Sequence, residues 1–597
     1  SDKVNFTDDA SVFDVELQGE LPCDAVFVNN TKNYTFSGTG AISGGATLVK
    51  SGSGRLTVST DNTYTGGNRI SGGVVSVSSL SNANQAHGNL GAMTTNPLHF
   101  VIENGATLMT TAAVQMGSPI RFESEDGGVI SNSQDFAMNK PFSGTKMVKR
   151  GAGWLKTYAS GANLSRMIIA GGTVQNNSGV AAKVVEIQAG SLVDNVGTAN
   201  EINVPEGKNA SWTTANRQTY TNKITGAGRL TVYCATEKGS DWVATRTPLK
   251  LNTAGFTGTL VPQATNAADG RFTLDSSAGL ADAKMDIPSG IIVQNTGKVY
   301  TIGELTGTGS LGGGCTFSNG SSVGANTWKV GSLNTDFTFG GSIAAAGTKF
   351  EKVGTGVMTM TGTSDFTGTA VISEGTLCLN KSGGTTGMLG KGTLTVADGA
   401  TLCGVGVLDN SSVIVNEGGM MRPGVKESSI SGVLNMNDNK VVINTGGTIR
   451  FYIGSRTLYT RLTNVDAMSL RGTLKVGIRD GVTFEEGTEF QLWTSNSTQI
   501  SALATLELDS LGAGLMWDTS DIESGILRVA KETAIEDVNV DREVSCVVYG
   551  IGGIECARFV TSHSKVATRL HAQGLPQGVY VVYMRSDNAE FVEKYIV

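Results

Sequence analysis

The sequence predicts an all-β chain: a solenoid of short repeating strands, followed by a small antiparallel β-sandwich. Three observations carry this. A glycine-cornered strand pattern at Leu48–Val77 returns twice with one fixed internal interval. Glycine is abundant without proline, Gly 80 and Pro 10 in 597 residues. Near residue 531 a polar, glycine-free joint gives way to short apolar strands of a different character.

The pattern comes first. Leu48-Val49-Lys50-Ser51-Gly52-Ser53-Gly54-Arg55-Leu56-Thr57-Val58 alternates apolar and polar residues around a Gly-x-Gly corner. Asn62-Thr63-Tyr64-Thr65-Gly66-Gly67 follows, and then Arg69-Ile70-Ser71-Gly72-Gly73-Val74-Val75-Ser76-Val77. Alternation sends successive side chains to opposite faces of a strand. Glycine at a corner reaches positive φ without a Cβ penalty. A second copy opens at Lys149 with Gly151-x-Gly153 and closes at Gly172, and a third opens at Lys352 with Gly354-x-Gly356 and closes at Gly375. The intervals Gly54 to Gly73, Gly153 to Gly172 and Gly356 to Gly375 are equal. Equal spacing in three copies points to one structural unit repeated.

Lys50, Gly52, Gly54, Leu56, Asn62, Tyr64, Gly66, Gly67, Ile70 and Gly73 together resemble the autotransporter-associated β-strand repeat of secreted and surface solenoids. In the third copy Ser364 and Phe366 stand where Asn62 and Tyr64 stood. The second copy lacks the Asn-x-Tyr-x-Gly-Gly part, so its coil is expected to be rebuilt there. The resemblance implies a right-handed parallel β-helix over residues 1–530, with no catalytic residue in the repeat itself.

Length and charge agree. A chain of 597 residues outgrows one globular core, whereas each coil of a solenoid needs only its neighbours. Net charge is −7 and no Lys/Arg cluster stands out, which argues against nucleic acid as a partner. No apolar run is long enough for a membrane span. The chain has no initiator Met and opens directly in strand-like sequence, so a processed chain with something upstream is expected. Seven cysteines occur without Cys-x-x-Cys or zinc spacing. Cys378 follows Thr376-Leu377 and Cys403 follows Thr401-Leu402, equivalent contexts that predict stacked, buried thiols rather than a disulfide.

Short alternating segments fill residues 1–44 and read as first coils. Segments 234–248 and 262–288 read as inserts leaving the core. Strand and corner then alternate to residue 530, for about 21–26 coils at about 20–25 residues each. In residues 531–597, Val544–Tyr549, Val566–Leu570, Gly574–Tyr583 and Phe591–Val597 read as strands of a small antiparallel sandwich. The Leu575-Pro576-x-Gly578-Val579-Tyr580-Val581-Val582 segment and the closing strand resemble the C-terminal sorting domain of type IX secretion cargo in Bacteroidetes. That resemblance implies export, and secretion machinery as a partner. A plain cap on the solenoid's end accounts for the same residues, and both can hold.

The acidic residues and histidines form no catalytic constellation. Asp8-Asp9, Glu123, Glu125-Asp126, Asp241, Asp269 and Glu485-Glu486 are scattered. Neighbours on a strand face opposite sides, so Asp8-Asp9 is no acid pair. Of four histidines, His563 and His571 lie in the tail, His87 in a polar loop and His99 in an apolar strand. No nucleophile elbow accompanies them. Gly226-x-Gly228 lacks the Gly-Lys-Ser/Thr of a phosphate loop. No catalytic residue, cofactor or metal is therefore assigned.

Aromatics remain. Sugar rings stack on Trp and Tyr. Trp212 and Trp242 have polar neighbours and are the expected glycan-stacking residues; Trp154 is expected to pack at a coil edge, and Trp328, Trp493 and Trp517 in strands. The reading is a secreted or cell-surface solenoid, adhesin-like or polysaccharide-binding, on a bacterial surface or outside the cell. The alternative is a carbohydrate-active β-helix enzyme, lyase or hydrolase, or its accessory region. A third reading is a self-associating fibre protein.

Overall fold

The computed structural model describes residues 2–177, 180–194, 201–214, 219–234, 250–264, 271–274, 279–295, 299–314, 326–381, 388–426, 429–512, 514–532, 543–550, 553–562, 565–586 and 589–597. The chain divides into two compact units. One holds 1–482, 489–509 and 519–527; the other holds 483–488, 510–518 and 528–597.

The first unit is a parallel β-solenoid, as the repeat predicts. Among the described residues most of its strands join into an 18-stranded sheet and a 26-stranded sheet, with smaller sheets beside them. Strands one coil apart lie side by side and parallel. Val26 sits beside Leu48 and Leu48 beside Asn68, steps of 22 and 20 residues. The interval read from the glycines is one such step, for Arg55 pairs Val74, Trp154 pairs Thr173 and Val357 pairs Thr376. Alternation puts one residue in two inside. Leu56, Val75, Leu108 and Ile130 stack in register through four successive coils, each fully buried. Such ladders form the core, since burial of each aliphatic side chain stabilises by about 1.5–3 kcal/mol.

The repeat's lysine closes the corner. Lys50 is fully buried. Its Nζ donates to the carbonyls of Ser51 (2.6 Å), Gly52 (3.0 Å) and, one coil on, Gly72 (3.1 Å). Lys149 does the same to Arg150, Gly151 and Gly171 at 2.7, 2.9 and 3.2 Å. Lys352 does so to Val353, Gly354 and Glu374 at 2.9, 2.7 and 3.3 Å. Burial pushes each ammonium down to about 8. Gly73 completes the arrangement: its φ is +64°, and a Cβ there would lie 2.2 Å from the Gly54 carbonyl oxygen.

The substitutions between copies are conservative in function. Asn62 accepts the Ile42 N–H at 2.9 Å, and Ser364 accepts the Ile343 N–H at 3.0 Å. Tyr64 donates to Asn68 at 2.6 Å, whereas Phe366 fills its place without a hydroxyl to satisfy. In the second copy the lost corner is rebuilt as one eight-residue strand, Ala162–Ile169.

Two expectations are corrected. Where 262–288 is described it forms strands of the coils rather than a looped-out insert, and 265–270 and 275–278 lie outside the described residues. Thr259–Ala264, Arg271–Leu274 and Leu280–Ile287 are strands paired with neighbouring coils. Asp282, Lys284 and Asp286 are outward members of the alternating strand Leu280–Ile287. The segment 234–248 lies outside the described residues apart from Cys234, the last residue of the strand Arg229–Cys234. Val566–His571 is a helix rather than a strand, because Val566 and Leu570, four apart, share a buried face.

In the second unit four antiparallel strands lie in the order Glu555–Ser562, Glu543–Gly550, Val579–Ser586, Ala589–Ile596. Among the described residues they form a single sheet. The helix covers one face, where Val544, Cys546, Val548, Phe559, Val582 and Met584 are buried.

The lysine clasp makes a testable claim. Lys50→Met leaves three carbonyls without a donor, and is expected to destabilise the surrounding coils by about 2–4 kcal/mol, read by hydrogen exchange. The pH dependence has a defined sign. With a folded value near 8 and an unfolded value near 10.4, the unfolded chain holds the extra proton between them. The proton-linked part of the lysine's contribution therefore rises from about pH 8 to about pH 10.4 and is lost as pH falls through 8, on top of a hydrogen-bonding part that does not change with pH. The gap in stability between wild type and Lys50→Met should widen over that window in denaturant titrations; a gap that narrows contradicts the assignment.

Candidate functional site

Among the described residues, the outward face of the strands Val114–Met116, Phe136–Met138, Trp154–Thr157 and Thr173–Asn176 carries the exposed aromatics of the solenoid. Inward, Val114, Phe136, Leu155 and Val174 stack in the core. The alternate positions must then face water, and Gln115, Ala137, Lys156 and Gln175 line up across the coils. Trp154 is 40% exposed and Tyr158 is 50% exposed. Lys156 Nζ lies 5.7 Å from the Trp154 ring centroid and 2.5 Å from an Asp135 oxygen. A groove of about 450 Å³ runs here, lined by Gln115, Asp135, Ala137, Asn139, Lys156 and Tyr158 among others. A second, of about 370 Å³, continues it towards Ser78, Asn82 and Gln85, with Ala113, Val114 and Gln115 common to both.

Neither expected stacking residue reaches this face. Trp212 is a correction: it is fully buried, in register with Leu192 on one side and Val232 on the other. Its polar neighbours Ser211 and Thr213 are the outward members of the same strand, so they mark an alternating strand rather than an exposed ring. Trp242 lies outside the described residues. Trp154, expected at a packed edge, is the exposed one. The signal was available: the residue after the second corner glycine is Arg55 in the first copy, a charged side chain that must face water. Trp328 and Trp493 are buried, with Trp328 donating to the Gly312 carbonyl at 3.0 Å, and Trp517 is half-buried.

Asp8, Glu123, Asp126 and Glu486 have structural partners. Asp8 accepts the Lys32 N–H at 3.0 Å and the Thr31 hydroxyl at 2.7 Å, bonds that hold its carboxyl below the usual range. Glu123 pairs with Arg69 at 3.1 Å and Arg121 at 2.9 Å. Asp126 faces Lys146 at 3.5 Å and Glu486 faces Lys531 at 3.5 Å. Asp241 and Asp269 lie outside the described residues. His87 meets Asp61 at 2.9 Å in an exposed pair, and His99 meets the Thr94 hydroxyl at 3.4 Å. Among the described residues no group of three or more His, Cys, Asp or Glu could hold a metal ion.

Cys378 and Cys403 stack in register on adjacent coils, both buried and both free thiols. A hydrogen bond shared with Cys378, together with burial, raises the Cys403 thiol above its usual value. Burial pushes Cys546 up to about 11.

Comparison with known proteins adds the class. Segments 48–77 and 350–378, the first and third copies, match the family model described as Passenger-associated-transport-repeat. The chain is a parallel β-solenoid that carries passenger-type repeats. It is similar to the "Adhesin BmaC autotransporter" of Brucella suis biovar 1 (strain 1330), 28% identical over 159 residues. That alignment covers 25% of this chain and 5% of the relative, so the chain spans a small part of the relative's length.

Thiol exposure checks the packing around these sites. Cys556 is exposed and is expected to react with a maleimide in the folded protein, whereas Cys378, Cys403 and Cys546 should react only on unfolding. Peptide mapping by mass spectrometry reads each site, and fast labelling of Cys403 would contradict the stacked arrangement.

Proposed function

We propose that this chain is a secreted or cell-surface β-solenoid that acts as an adhesin-like scaffold for polysaccharide or host glycans, without a catalytic step of its own. The observation that carries the reading is the outward sheet bearing Trp154 and Tyr158 beside rows of amides. Coils rise by about 4.8 Å, close to the length of one sugar ring in a chain, so equivalent outward side chains meet successive sugars. An aromatic ring takes the apolar C–H face of a sugar, and the amides take its hydroxyls. The passenger-type repeats and the similarity to an autotransporter adhesin support a surface location. Trp242 is proposed as a second stacking residue.

Native gels loaded with plant and host polysaccharides test this. Wild type should be retarded by at least one of them, and Trp154→Ala should weaken that binding by about tenfold or more. Retardation that survives Trp154→Ala and Tyr158→Ala sinks the assignment of this face. Release of reducing ends, lost on substitution of Asp61 or Asp135, would turn the reading to the enzyme alternative.

The C-terminal sheet is proposed as a sorting module read by secretion machinery of the type IX class. Its strand Val579–Ser586 and closing strand Ala589–Ile596 carry the resembling segments. The face away from the helix exposes Val560, Tyr583, Val592 and Ile596, apolar area suited to a protein partner. A chain truncated after residue 532 should stay inside the producing cell in a type IX-competent host. Equal export of the truncated and full chains would remove this part of the proposal.

A further inference from the structure

The groove beside Trp154 has a composition that narrows its ligand. This step rests on the glycan-binding reading above. Across both stretches of the groove, Asp135 and Lys156 are the charged lining residues, and they face each other at 2.5 Å. The remaining polar side chains are amides and hydroxyls. Asn139 donates to the Gln115 side chain at 3.5 Å, and Asn82, Asn84 and Gln85 extend the row. Amides offer both donors and acceptors, which suits sugar hydroxyls that are also both. A uronic acid or sulfated sugar needs a cation free to receive it. The ammonium in this groove is already held by Asp135, and the same contact places it over the Trp154 ring. The chain's net charge of −7 adds a repulsive field against polyanions. The two stretches are continuous through Ala113, Val114 and Gln115 and cross successive coils, which fits an extended chain rather than a single sugar.

We infer that the groove selects neutral, extended polysaccharide over acidic polysaccharide, and that Asp135 sets the selection by holding Lys156. Asp135 is a specificity-determining residue here: it acts on the ligand through Lys156, whereas Tyr158 and the amides line the groove and Trp154 stands beside it.

The test uses the full chain in affinity gels loaded with neutral glucans, mannans and xylans on one side, and alginate and polygalacturonate on the other. Wild type is expected to bind a neutral member about tenfold or more tighter than either acidic one. Asp135→Asn frees the ammonium and is expected to gain acidic binding by about fivefold, a gain that falls with added salt. Asp135→Asn with Lys156→Gln is expected to lose that gain. Unchanged thermal unfolding shows that the variants are folded, as a change at an exposed pair allows. Wild type that binds acidic and neutral members equally, or a folded Asp135→Asn without the gain, overturns the selectivity while leaving glycan binding in place. Absence of retardation by every polysaccharide overturns the binding reading itself, and this inference with it.

Discussion

A buried ammonium held by three carbonyls is the contact on which the repeat depends. The Gly-x-Gly corner turns the chain so sharply that its carbonyls point inward, away from water. Unmet, each would cost on the order of 1–3 kcal/mol. Lys50, Lys149 and Lys352 each reach into such a corner and take one carbonyl from the next coil as well. The lysine therefore does two jobs: it satisfies its own turn and ties that turn to its neighbour. The depression of these lysines to about 8 is the cost of their burial, accepted because the alternative is an orphaned corner.

Register then decides everything outside. Once the corner glycines stack, every residue of a coil is set above its counterpart, and inward ladders imply outward ones. The row Gln115, Ala137, Lys156, Gln175 exists because Val114, Phe136, Leu155 and Val174 are in the core. The recognition face is thus a by-product of core packing in position, and free of it in composition. Side chains there can change without touching the fold, which is how a solenoid supports different ligands on one frame.

Much of the fold was legible in the sequence because its signals are local and repeated. Three equal glycine intervals gave the coil step, and the Asn62-to-Ser364 and Tyr64-to-Phe366 exchanges kept their places. The stacked Cys378 and Cys403 were read from equivalent strand contexts. Two of the errors share one cause. Trp212 among Ser and Thr, and the polar stretch 262–288, looked exposed because neighbours were polar; on a strand, polar neighbours mean the opposite for the residue between them. Val566–Leu570 satisfies both a two-residue and a four-residue period, and only packing against the sheet chooses the helix. The groove itself was not legible, because its residues are about twenty apart and meet only once the coils stack.

The coil step also has long exceptions, among them Ser310 to Ser342 and Thr473 to Thr505, and one of them lies beside the groove. Arg69 pairs Val101, 32 residues later, and the next step, Val101 to Arg121, returns to 20. The surplus is spent in a small hairpin around His87–Ala92 at one corner, and the strands on either side keep their parallel partners. Sequence length at this corner is thus uncoupled from alignment of the stack. A peptide grafted between Ser81 and Gln85 would be carried on the outside of an intact array, held beside the groove, which makes this corner the natural place from which to display a foreign epitope.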